Sequence, residues 1–168
     1  SAAIAFEGCP LDAYQTIESP TDRYGLYGID LAVGSQTLIG SLGPTSVFDA
    51  DFNAIGFNER DRFIYGFNRA QQRLVRIGSD GAGAAEFAFP TSIIGLPAGF
   101  VSFVADIGDD NHFYMLNDQT QMWKVNLATN VASLVGNFQS AVGRVTDMAF
   151  NPLDGQLYGV GGNGQVVR

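Results

Sequence analysis

The chain repeats itself about every 48 residues, a period that constrains its fold more than any other feature. Apolar residues recur at corresponding positions: Leu26, Leu74 and Met122, followed by Ile29, Ile77 and Val125. Periods of roughly 20 to 50 residues are typical of stacked or radially arranged units that bury their apolar faces against one another. The period therefore predicts a repeat architecture rather than an ordinary globular core.

Each unit divides into short β-runs separated by turn residues, as expected of four-stranded antiparallel sheets. The predicted strands of the second unit are 52–57, 62–67, 73–77 and 84–89. Those of the third are 101–107, 112–116, 121–127 and 132–138, and those of the last are 145–150, 156–160 and 165–168. Val75 and Ile77 alternate with Arg76, so we expect one face of the sheet to be buried and the other to meet water or the edge of a neighbour.

Isolated sheets of this size cannot bury both faces, so we expect them to pack on one another, and radial packing gives an all-β β-propeller. Residues 1–168 then form a single propeller domain or propeller segment, with blade units at about 1–44, 51–90, 101–138 and 144–168. The first unit begins at its second strand and the last stops inside its third, which leaves about three and a half blades. Because unpaired strand edges template further pairing, we expect a homo-oligomer or polymer formed through the open blade edges.

Charge excludes one class of partner. Seventeen acidic residues against nine basic ones give a net charge of −8, and Lys124 is the only lysine. Nucleic acid is therefore not expected as a partner, because its binding requires clustered Lys and Arg. No apolar run approaches the ~18 residues of a membrane span. The single cysteine, Cys9, is read as a buried thiol or as one half of a bridge to another chain.

Two segments resemble the blades of secreted bacterial β-propeller repeat domains of uncharacterised function. They are Leu26-Tyr27-Gly28-Ile29-Asp30 with Leu38-Ile39-Gly40, and Asp147-Met148-Ala149-Phe150-Asn151-Pro152 with Gly155-Gln156-Leu157-Tyr158. The resemblance spans nearly all of the chain. It implies a propeller fold, a secreted, extracellular or cell-surface location and a non-enzymatic role, and it names no ligand.

One acidic turn is a candidate calcium site. Asp106, Asp109, Asp110 and Asn111 supply three carboxylates and an amide within a short loop, and Ca²⁺ prefers such oxygen ligands. Related domains carry an Asp-x-Asp-x-Asp/Asn-Gly loop near this place, whereas this chain departs from that spacing and has His112 instead of the final glycine. An ordinary acidic hairpin is the alternative, and no other cofactor is predicted.

Catalytic chemistry finds little support in the sequence. His112 is the only histidine, and no serine or cysteine lies in a nucleophile-elbow context, so we expect a surface histidine on a turn. Tyrosines mark the second strand of every unit, and we expect their rings to pack between the sheets with the hydroxyls at the edge. They are Tyr14, Tyr65, Tyr114 and Tyr158.

The sequence thus predicts a secreted or cell-surface, non-enzymatic propeller that acts in adhesion, matrix or filament assembly through self-association. The alternative is a carbohydrate-binding or carbohydrate-acting propeller, a lectin or a glycosidase, because a pair of catalytic carboxylates could lie among the seventeen acids. Trp123 is the only tryptophan, and its alternation places it inside, which weakens the carbohydrate hypothesis.

Overall fold

The computed structural model describes residues 3–7, 13–18, 25–41, 52–79, 85–117, 121–137 and 144–168. These residues contain fourteen β-strands. In chain order the strands are β1 (Ala13–Ile17), β2 (Gly25–Ile29), β3 (Gln36–Ser41), β4 (Phe52–Asn58), β5 (Phe63–Asn68), β6 (Arg73–Ile77), β7 (Ala85–Phe87), β8 (Ser102–Ile107), β9 (His112–Asn117), β10 (Gln121–Asn126), β11 (Val131–Asn137), β12 (Val145–Phe150), β13 (Leu157–Gly161) and β14 (Val166–Val167).

The strands form four antiparallel sheets, which we call blades 1 to 4. Blade 1 consists of β1–β3, blade 2 of β4–β7, blade 3 of β8–β11 and blade 4 of β12–β14. Within every blade, strands that follow one another in sequence are neighbours in the sheet. The predicted all-β architecture of repeated antiparallel sheets is confirmed.

The predicted strands of blades 2 to 4 agree with the observed ones to within one residue at each end, except for the last strand of blade 2, whose end differs by two residues. That strand was predicted at 84–89 and β7 spans only Ala85–Phe87. Just beyond it, the Ala88 N–H still donates to the Leu74 carbonyl, and the Phe89 carbonyl accepts a hydrogen bond from the Arg73 guanidinium. Pro90 then offers no N–H to extend the ladder.

The described strands of the end blades occupy positions that can be assigned from the repeat. In blade 1, Leu26 of β2 corresponds to Leu74 of β6, so β2 occupies the third position of a blade and β1 the second. Blade 4 contains a first strand, a second strand and the short β14 in the third position. Each end blade therefore has three described strands, whereas blades 2 and 3 have four.

The blades pack face to face around their first strands. β4 contacts β8, and β8 contacts β12, so the first strands of blades 2, 3 and 4 lie side by side. Three apolar clusters fill the spaces between blades: one holds Leu26 and Val75 between blades 1 and 2, one Leu74 and Val125 between blades 2 and 3, and one Met122 between blades 3 and 4.

The third strand of blade 2 is buried on both faces, so the face for which the sequence left water or a neighbour open meets a neighbouring blade. In β6, Val75 is 0% exposed on one side and Leu74 is 1% exposed on the other. The charged Arg76 lies over the ring of Phe63 and pairs with Glu86. Its aliphatic stem and guanidinium therefore belong to the packing rather than to a free surface.

Two further predictions concerned a membrane span and the single cysteine. None of the described segments forms a helix long and apolar enough to cross a membrane. Cys9 lies outside the described residues, so its predicted burial or bridging stays a prediction.

Candidate functional site: the open faces of the end blades

The predicted calcium loop is the turn between β8 and β9, with Asp106 near the end of β8. The Asp106 carboxylate points toward blade 4, where its Oδ2 accepts a hydrogen bond from the Phe150 backbone N–H at 2.7 Å. Burial raises the pKa of the Asp106 carboxyl, while N–H groups of Phe150 and Ile107 act in the opposite direction. Asp106 therefore connects the first strands of two blades.

The other loop residues point to different neighbours. Asp110 accepts hydrogen bonds from the Tyr114 hydroxyl at 2.9 Å and the His112 backbone N–H at 3.3 Å. The Asn111 side chain accepts a hydrogen bond from the buried amide of Asn58 in blade 2 at 3.1 Å. Asp109 offers its backbone carbonyl to the Arg60 guanidinium, with Nε at 3.0 Å.

These contacts do not gather the loop around one point. Within the described ranges, no group of three or more His, Cys, Asp or Glu side chains is placed to hold a metal ion. The calcium site at Asp106, Asp109, Asp110 and Asn111 thus stays a prediction, and the loop has a visible structural role. His112 begins β9 with its ring Nδ1 3.0 Å from Asp110 Oδ2.

An aspartate–tyrosine pair recurs in three blades and was missed by the sequence analysis. The hydroxyl of the second-strand tyrosine donates a hydrogen bond to an aspartate four residues earlier, in the turn before that strand. The pairs are Asp61–Tyr65 at 2.6 Å, Asp110–Tyr114 at 2.9 Å and Asp154–Tyr158 at 2.7 Å. The spacing Asp-x-x-x-Tyr was the signal that could have revealed them.

Burial and the aspartate–tyrosine pairs raise the pKa of the tyrosine hydroxyls. Burial, assisted by the hydrogen bond and the negative charge of Asp110, raises the pKa of Tyr114 to about 12. The pKa of Tyr65 is also raised, first by burial and then by Asp61. Neither hydroxyl is suited to give up its proton near neutral pH, so both are structural donors.

A pocket of about 450 Å³ lies beside the same turns. Charged and polar residues from three blades line it, among them Glu59, Arg60, Asp106, Asp109 and Asn151. No serine, cysteine, histidine or tyrosine is among its lining residues. Its aromatic lining residues are Phe57 and Phe150, whose rings contact those of Phe6 and Tyr114. Trp123 is not in the lining and packs edge-on to Phe100 with 6.1 Å between ring centroids.

The strongest candidate surface is the face of blade 4 that points away from blade 3. Val160 pairs with Val166 on this face. In blade 2 the equivalent pair is Phe67 and Leu74, which are 0% and 1% exposed because blade 3 covers them. Val160 and Val166 are 40% and 63% exposed.

Blade 3 supports this comparison. Its equivalent pair is Leu116 and Met122, which are 7% and 8% exposed beneath blade 4. The blade 4 position thus keeps apolar residues although none of the described blades covers it. We call the surface carrying Val160 and Val166 the open face of blade 4.

Blade 1 presents an apolar face at the opposite end of the arc. Ile29 corresponds to Ile77 and Val125, which are both 0% exposed against the preceding blade. Ile29 itself is partly exposed, as are Ile17 and Tyr27, which lie on the same face of blade 1. The two ends of the described molecule therefore carry the same two kinds of surface that meet between its inner blades.

A comparison with protein-family models decides the family. The model described as a repeat of unknown function, DUF6923, matches residues 15–168. The chain belongs to the DUF6923 family. No curated protein matches this DUF6923 chain in sequence.

Solved structures agree on the fold. A protein of unknown function from Bacteroides thetaiotaomicron VPI-5482 superposes with a TM-score of 0.64 and 18% identity, over 90% of this chain and 40% of that one. A chain of a nidogen/laminin complex gives a TM-score of 0.59 and 14% identity, over 95% and 55%. A luciferin-regenerating enzyme gives 0.52 and 14%, over 84% and 45%.

These similarities show that the DUF6923 chain has a β-propeller fold. They carry no activity over to it, because identities this low establish the fold alone. The DUF6923 chain spans between 40% and 55% of the length of these three structures.

Proposed function

We propose that this DUF6923 chain is a secreted or cell-surface, non-enzymatic propeller that acts in adhesion, matrix or filament assembly by associating with copies of itself. Blade 4 of one copy packs on blade 1 of the next. The observation that carries the proposal is the exposure of Val160 and Val166 at positions that are buried in blades 2 and 3.

Two different surfaces meet in this arrangement, so the interface is head-to-tail. Such an interface gives a closed ring when the rotation between copies closes and an open filament when it does not. A filament would use the same contact with a different rotation.

A non-enzymatic role is supported by the structural hydrogen bonds that the buried and loop polar residues make. Asp106, Asp110 and Tyr114 all hold neighbouring strands or turns together. The extracellular location rests on the resemblance to exported propeller domains. Its test is fractionation of the native cells, with recovery in the medium or on the surface as the expected result.

Sedimentation velocity on purified variants tests the association. The double variant Val160→Lys with Val166→Lys puts two charges on the open face of blade 4 and should weaken self-association by at least about 10-fold, because each buried valine contributes on the order of 1.5 kcal/mol. The matched control is Ile94→Lys, at a residue that is 54% exposed in the segment between blades 2 and 3 and belongs to neither end blade. Equal association of both variants would contradict the proposal.

A further inference from the structure

An apolar groove of about 400 Å³ opens between blades 3 and 4, on the opposite side of blade 4 from its open face. Blade 3 contributes Leu116, Met122 and Val135 to the lining. Blade 4 contributes Met148, Leu157 and Val167. The groove runs beside β14, the edge strand of blade 4, and no described strand pairs with the outer edge of β14.

The packing between blades 1 and 2 shows what fills the equivalent space. There, Phe87 of β7 lies opposite Val75 and packs against the cluster that contains it. Ile39 of β3 packs against the same cluster from blade 1. A fourth strand thus closes this outer region with one large apolar side chain.

The internal repeat places the missing side chain in the groove. Val75 pairs with Gly66, the residue after the second-strand tyrosine of blade 2. Val167 pairs with Gly159, which holds the same position in blade 4. A residue opposite Val167 would therefore occupy the place that Phe87 has opposite Val75.

Exposure on blade 3 agrees with this assignment. Val135 corresponds to Ile39, which is partly buried and packs against the same cluster as Phe87. Val135 is 52% exposed and lines the groove. The groove is thus the volume that a bulky residue of a fourth strand takes up elsewhere in the molecule.

We infer that this groove accepts an extended strand from a second copy of the chain, which pairs with β14 and places a large apolar side chain opposite Val167. Unpaired backbone N–H and C=O groups of an edge strand supply the hydrogen bonds for such an addition, and the groove supplies side-chain specificity. The inference rests on the proposed function, because a copy packed on the open face of blade 4 brings its chain beside the same blade.

A synthetic peptide with the sequence of residues 82–90, which contains Phe87, tests the groove. Its fluorescence anisotropy is measured while dilute protein is added. We expect binding, and we expect the F87A peptide to bind at least about 10-fold more weakly, because it lacks the side chain that fills the groove. Equal binding of the two peptides, or binding of neither, would overturn the inference.

Variants of the acceptor provide the matched control. Val135→Trp fills the groove from blade 3 and should abolish peptide binding. Leu134→Trp alters the adjacent residue, which is 48% exposed and lies on the other face of the sheet, and should leave binding unchanged. Equal peptide affinity of both variants would contradict the placement of the strand.

Self-association of the same variants separates the two proposals. Val135→Trp should weaken association by at least about 10-fold if the donor is a second copy, whereas Leu134→Trp should not. If Val135→Trp associates normally while the open-face lysine variant does not, the strand inference is wrong and the proposed function stands. If the unaltered chain binds the peptide but never self-associates, the second copy is wrong as the donor and the proposed function fails.

Discussion

At the scale of single residues, the aspartate–tyrosine pairs tie each turn between first and second strands to the strand that follows. The aspartate also accepts a backbone hydrogen bond two residues on, from Phe63, His112 or Gln156. One carboxylate thus fixes both the turn and the ring that packs between blades. The sequence analysis identified the tyrosines but not their partners, and it interpreted one of these partners, Asp110, as a candidate calcium ligand.

Removing the hydroxyl of a buried pair should destabilise the fold. Tyr65 is 4% exposed, so Tyr65→Phe leaves Asp61 Oδ2 without its 2.6 Å donor and should lower the free energy of unfolding by about 1 to 2 kcal/mol. Urea denaturation measures the change. Tyr158→Phe, in the more exposed pair of blade 4, should have a smaller effect, and the reverse order would refute the role of burial.

The buried carboxylate of Asp106 should give stability a recognisable pH dependence. Its pKa is raised in the folded state by burial, so the folded chain favours the protonated form. This contribution to stability is greatest at low pH and is lost as the pH rises through the folded pKa. Asp106→Asn keeps an oxygen acceptor for the Phe150 N–H without the charge, so it should gain stability relative to the unaltered chain as the pH rises.

Asp154 provides a control in which the pH dependence of stability has the opposite sign. Its pKa is lowered, chiefly by the hydrogen bond from the Gln156 backbone N–H, so the unaltered chain should gain stability relative to Asp154→Asn as the pH rises. Denaturation of both variants between about pH 2 and pH 8 makes the comparison, because the Asp154 effect falls at the acid end of this range and the Asp106 effect above it. A difference between Asp106→Asn and the unaltered chain that does not vary with pH would contradict this account.

At the scale of strands, the first strand of each of blades 2, 3 and 4 contains a bulge. The register shifts between Asn53 and Ile55, between Ser102 and Val104, and between Val145 and Asp147. Ala54, in the first of these bulges, has a φ of 56°. The alternating pattern of the sequence gives no sign of an extra residue, which explains why the strands were predicted and their bulges were not.

A glycine beside the first strand of blade 2 allows close packing. A Cβ at Gly66 would lie 2.1 Å from the Phe52 ring, whereas a Cβ at Gly136 would meet no atom within 4 Å. Gly66→Ala should therefore lower the free energy of unfolding by about 1 to 3 kcal/mol, because Phe52 must move. Gly136→Ala should change it by less than about 0.5 kcal/mol in a urea titration. Equal effects would show that the contact with Phe52 does not limit residue 66.

At the scale of the whole molecule, the repeat period was sufficient to predict the all-β propeller fold and its repeated antiparallel sheets. It could not predict which end surfaces stay exposed, because that depends on what packs against Val160 and Val166. Nor could it predict the groove at Val167, which appears only when β14 is compared with the equivalent strand of blade 2.

The native mass of the purified chain, determined by light scattering over a range of concentrations, tests head-to-tail association most directly. The account predicts a particle of twice the 17.9 kDa chain mass, or a larger series that grows by whole copies. A single species of 17.9 kDa at every concentration would contradict it.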